Sequence, residues 1–62
     1  MNDVVEERIR KLRHDLANPL AAVLAETQLM LLETESYDEE TVTSLKEIEG
    51  LARRMRDLIQ NA

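Results

Sequence analysis

Cysteine, phenylalanine and tryptophan are absent, and Tyr37 is the only aromatic residue. No disulfide can staple the chain, and one histidine without thiols gives a structural zinc site no ligand set to build on. Any core must come from Leu, Ile, Val, Met and Ala, a palette that suits helix packing. A single glycine and a single proline leave little punctuation, so few and long elements are expected. Positive charge is also in deficit, with 8 Lys and Arg against 13 Asp and Glu and a net charge of -5. That balance repels nucleic-acid phosphates and anionic membrane surfaces, so no nucleic acid and no membrane contact is expected. The longest apolar run, Pro19 to Ala25, falls far short of the roughly 20 residues of a spanning helix. No secretory signal pattern opens the chain. A cytoplasmic location is expected, and a parent protein with its own membrane anchor is compatible with it. The 62 residues make at most one small domain. A chain this short buries only about 60% of its unfolded surface, and oligomerisation is the remaining common source of support.

What is present is periodic. Val5, Ile9, Leu12, Leu16, Leu20, Val23, Thr27 and Met30 recur at alternating spacings of three and four, one stripe on a helix. Val4, Leu24 and Leu31 widen it on one flank. A second stripe runs Thr41, Leu45, Ile48, Ala52, Met55, Ile59 and Ala62, with Leu51 and Leu58 beside it. The spacing predicts helix 1 over about 3–34, a turn over about 35–37 and helix 2 over about 38–61, one domain over 1–62. Ser36 and Glu39 fit a capping box, and Asp38 to Glu40 put negative charge at a helix start. Arg53, Arg54 and Arg56 lie toward the opposite end, where positive charge suits the helix dipole. A short connection makes the helices antiparallel. A hairpin cannot enclose both of its stripes, whereas two copies can pack four stripes around one axis. The expected fold is therefore all-α: an antiparallel helical hairpin forming a homodimeric four-helix bundle.

Pro19 falls inside the first stripe. A proline there removes a backbone hydrogen bond and costs ~3 kcal/mol or more. Either Pro19 opens a separate helix capped by Asn18, or one helix continues with a kink. The stripe stays in phase from Leu12 and Leu16 to Leu20 and Val23, which favours a continuous helix kinked at Pro19.

His14 points almost directly away from the line of Leu12 and Leu16, so it is expected to be exposed. Asn18 shares its outer face one turn on, Asp15 sits on the flank, and Arg10 and Lys11 make the surroundings cationic. Periodicity alone does not separate a reactive histidine from a solvated one. Metal binding wants two ligands at i and i+4, and His14 has only the Asn18 amide there. Phosphoryl acceptance matches better. Neutral imidazole is a good nucleophile near neutral pH, and a carboxylate such as Asp15 can hold its other ring N–H and take up charge as the bond forms.

The octet Arg13 to Leu20, R-H-D-L-A-N-P-L, resembles the phosphoacceptor motif of sensor histidine kinases: histidine, acid, two residues, Thr or Asn, proline, hydrophobe. The family's apolar first helix, acidic turn and second-helix ending also have counterparts, the last in Arg54-Met55-Arg56-Asp57-Leu58-Ile59. Essentially the whole chain is similar to the dimerisation and histidine phosphoacceptor domain of that family. The resemblance implies that His14 is phosphorylated on Nε2 from ATP by a separate catalytic domain that uses ATP and Mg. The phosphoryl then passes to an aspartate of a response regulator. Asp15 would act as general base or orienter, Asn18 would position water for dephosphorylation, and Pro19 would bend the first helix. Asp15 stands where Glu is most frequent, Asn18 where Thr is, and Arg13 where Ser is.

A regulator reaching His14 needs a surface built by both helices. Asn18, Ala21, Ala22, Ala25 and Glu26 offer an exposed line of mostly small residues on helix 1. On helix 2, Gly50 is expected to face outward among Lys46, Arg53, Arg54 and Asp57, clearing room for a docking helix or simply tolerated at the surface. The sequence has no glycine-rich ATP lid, so the chain binds no cofactor of its own and is expected to be inactive alone, as a piece of a phosphotransferase. Its expected partners are a second copy, a receiver domain and the parent kinase's catalytic domain. The rival readings are a histidine phosphotransfer relay protein, expected to be monomeric, and a purely structural dimerisation bundle.

Overall fold

The computed structural model describes residues 3–61. It contains two helices, α1 (Asp3–Leu31) and α2 (Glu39–Gln60), joined by a 3₁₀ turn at Thr34–Ser36. They pair as a hairpin inside a rod of 52 × 14 × 11 Å. The helices are all-α as expected, and α1 runs through Pro19 without interruption.

The seam within the hairpin is narrower than the sequence stripes. Leu24 and Thr27 of α1 are buried against Leu45 and Ala52 of α2. Ala17, Leu20, Leu31, Val42, Glu49 and Ile59 extend the contact as half-buried residues. Burying one such leucine contributes roughly 1.5–3 kcal/mol. The hydroxyl of Thr27 donates to the Val23 carbonyl at 2.8 Å, so the buried polar side chain of the seam is satisfied within its own helix.

The two stripes read from the sequence therefore divide. Leu24 and Leu31, expected as a flank, form the seam with Leu20 and Thr27. Ile9, Leu12, Leu16, Val23 and Met30 stay exposed, as do Ile48, Leu51, Met55 and Leu58 on α2. At about 100° per residue, Leu16, Val23 and Met30 lie roughly 80–120° to one side of Leu24, and Ile48 and Met55 fall on the matching side of Leu45. One broad side of the hairpin is thus apolar and uncovered.

Two local expectations are corrected. Helix 1 was expected to reach residue 34 and ends at Leu31. Its last carbonyls are taken up by tight bonds, Leu32 N–H to Leu29 O at 3.2 Å and Glu33 N–H to Met30 O at 3.1 Å, which close the turn without glycine. Ser36 does not cap helix 2, because it lies inside the 3₁₀ turn with its N–H on Glu33 O. Asp38 is the cap, accepting the Thr41 N–H at 2.8 Å. The Thr41 hydroxyl first, and its amide second, hold the Asp38 carboxyl below its usual value of 3.8. Glu39 and Glu40 occupy the first turn as expected, but no basic residue occupies the last, so Arg53, Arg54 and Arg56 lie short of the dipole's end. Ala62, expected at the end of the second stripe, lies outside the described residues.

Candidate functional site

α1 is the longer helix, 29 residues to 22, a difference of about two turns. Every residue from Asp3 to Leu12 is exposed. His14 sits just beyond this stretch, where the hairpin begins. Relative to Leu24 it lies on the side opposite the uncovered apolar face, and its side chain is 75% exposed. Its Nδ1 is 3.7 Å from Asp15 Oδ1, an ion-pair distance longer than a hydrogen bond. Asp15 itself is 57% exposed and points nearly opposite Leu24, farther from the seam than a flank position. The pair places the carboxylate at Nδ1 and leaves Nε2, the other ring nitrogen, as the end available to an electrophile.

Pro19, four residues after Asp15, has no N–H to give the Asp15 carbonyl. The backbone ladder is therefore open one residue below the imidazole. That carbonyl belongs to an exposed residue, where water can satisfy it at little cost.

A groove runs along the hairpin on the His14 side. Asn18, Ala21 and Ala25 line it on α1, with Ala17 and Leu24 in its floor, and Arg56 and Gln60 face them from α2. Of the residues expected to receive a partner, the structure brings Asn18, Ala21 and Ala25 together here. Ala22 and Glu26 are exposed but sit on the outer flank of α1, about 160° from Leu24. Gly50 and Arg54 line a separate shallow patch with Glu47 and Leu51 on the outer side of α2. Arg53 is tied to Glu49 at 3.3 Å on the His14 side of α2. Arg56 and Gln60 went unremarked as site residues in the sequence. The signal for them was register: in an antiparallel hairpin the end of α2 must return beside Ala17 and Asn18. Among the described residues no cluster of His, Asp and Glu is placed to hold a metal ion. No helix among them is long and apolar enough to cross a membrane.

The family model of the His Kinase A (phospho-acceptor) domain matches residues 5–62. The chain belongs to that family. No curated protein and no solved structure gives a significant match. A His Kinase A domain is the phosphoacceptor and dimerisation module of a histidine kinase in two-component signalling, and the match spans Arg13 to Leu20. The single histidine of this phosphoacceptor domain, His14, is exposed.

Proposed function

We propose that His14 is the phosphoacceptor, that ATP is its phosphoryl source and that an aspartate of a response regulator is its destination. The supporting observation is the ring's setting, three-quarters exposed with a carboxylate at Nδ1 and nothing enclosing the other nitrogen. The lone pair of Nε2 attacks the γ-phosphorus, the bond to the bridging oxygen breaks, and ADP leaves with that electron pair. Asp15 stabilises the N–H at Nδ1 as the ring gains positive charge, and the proton is then released. The nucleotide and its magnesium are held by a separate catalytic domain, and the residues here bind and present the ring.

Transfer runs onward when a receiver domain docks along the groove below His14. Ala17, Ala21 and Ala25 let a partner helix approach, while Arg56 and Gln60 provide polar contacts at its rim. Asn18 faces the same space and is the group suited to orient water for dephosphorylation. The uncovered apolar side is closed by a second copy, giving a homodimeric four-helix bundle in the cytoplasm with the two His14 rings outward. Incubation with ATP and a separately produced histidine-kinase catalytic domain tests the assignment. Wild type is expected to gain an acid-labile phosphate, and His14→Gln none. Equal labelling of both would remove His14 from the reaction.

A further inference from the structure

Four of the eight basic residues, Arg8, Arg10, Lys11 and Arg13, fall immediately before His14 in a chain of net charge -5. Arg10 and Lys11 precede the histidine by four and three residues, the spacings that bring helix side chains together. Helical side chains lean toward the N-terminus, so the imidazole lies over the turn that carries them. The structure agrees: Arg10, Lys11 and His14 line one surface groove along α1 with Val4, Glu7 and Arg8. Among the described residues, neither Arg10 nor Lys11 is held in an ion pair, although Glu6, Glu7 and Asp15 stand at helical spacings from them. On α2 two of the four cations are engaged, Arg53 with Glu49 at 3.3 Å and Arg56 with Asp57 at 3.7 Å, but neither Lys46 nor Arg54 stands beside a histidine.

We infer that Arg10 and Lys11 are phosphoryl-binding residues, a cationic clamp that receives the oxygens of the phosphoryl group on His14. The inference rests on the assignment of His14 as acceptor. Asp15 occupies the Nδ1 end of the ring, so the phosphoryl goes to the other nitrogen, and the open cations sit one turn away along the groove. A group carrying nearly two negative charges meets two side chains whose charge is uncommitted. Glu7 and Asp15 are the opposing charges on the same helix. On α2 the charged group that lines the neighbouring groove is Arg56, which is paired with Asp57.

Phosphoramidate tests the clamp without any kinase. Nε2 attacks phosphorus, the P–N bond of the reagent breaks, and ammonia departs with the ring proton. Failure of the clamp is thereby separated from failure of ATP-dependent labelling. The 31P titration midpoint of phosphorylated His14 is the readout, with helicity by circular dichroism confirming that each variant folds. Lys11→Gln and Arg10→Gln are each expected to raise the midpoint by roughly 0.2–0.7 of a pH unit, and to slow labelling by roughly 1.5- to 5-fold. Added salt should erase much of the difference. Lys11→Arg should keep the wild-type midpoint, and Lys46→Gln, which removes the same charge from α2, should leave it unmoved. An unchanged midpoint in both clamp variants, or an equal rise in Lys46→Gln, overturns the proposal. So does a wild-type His14 that phosphoramidate fails to label.

Discussion

At the scale of single residues, the proposed chemistry falls to side chains that pack against little. His14, Asp15 and Asn18 are all exposed, so exchanging them should alter reactivity and leave the fold alone. Asp15→Asn is expected to slow autophosphorylation by roughly 10²–10⁴-fold, as loss of a proton-transfer group does, with an unchanged sedimentation profile. A rate within twofold of wild type would leave Asp15 without that role. Asp38 makes a different prediction. Its carboxyl is held below 3.8 in the folded chain by Thr41, so the charged form is favoured by folding. Its contribution is therefore present above the unfolded value and lost as pH falls through the folded one. Asp38→Asn keeps a good cap while removing the charge, and should flatten the acid limb of a stability–pH curve measured by urea unfolding. The exposure of His14 was legible in the sequence because a polar position facing away from a regular apolar stripe turns to solvent, whereas periodicity alone did not separate a reactive histidine from a solvated one. The cap was not. Ser36 with Glu39 and Asp38 with Thr41 are rival boundaries two residues apart, and only the closure of the 3₁₀ turn decides between them.

At the scale of elements, both helices were legible from spacing alone, including the passage of α1 through Pro19, where unbroken phase outweighed the proline. The end of α1 was not, because Leu32, Glu33 and Thr34 contain no breaker and the stop comes from the bonds that reverse the chain. Two substitutions measure what the elements tolerate. A Cβ at Gly50 would meet nothing within 4 Å, and the glycine has no positive φ to protect. Gly50→Ala should therefore stabilise the fold by about 1 kcal/mol per chain in urea unfolding. Pro19→Ala should restore the bond to the Asp15 carbonyl and stabilise by up to ~3 kcal/mol. A stability unchanged by Pro19→Ala would mean the helix accommodates the ring without strain. If instead the variant is more stable yet slower in phosphotransfer, the open ladder beside His14 serves the reaction.

At the scale of the whole molecule, the described residues leave more large apolar side chains exposed than the seam buries. Leu12 is 59% exposed and Leu58 64%, on a chain too short to hide them by itself. Leu16→Glu combined with Met55→Glu should convert a dimer to a single chain in sedimentation, with lower helicity at the same concentration. A wild type that stays monomeric at every concentration would reject the bundle. That one hairpin cannot enclose two full stripes was legible, and the exposed apolar side chains of both helices agree with it. Which part of each stripe meets inside the chain was not, because seam and outer face differ by about one residue of helical rotation, as Leu24 and Val23 show. The groove beside His14 was half legible for the same reason. Asn18, Ala21 and Ala25 follow from α1 alone, whereas Arg56 and Gln60 require knowing how far α2 travels back.

The unequal lengths of the helices give amide exchange a map of the molecule. Residues 39–60 and the facing stretch of α1 pack against one another, while residues 5–11 are all exposed. In deuterated solvent the amides of that leading stretch should exchange rapidly at low concentration and slow sharply as copies associate. The boundary between concentration-dependent and concentration-independent protection should fall beside His14, which would then stand where intrachain support gives way to support borrowed from another copy.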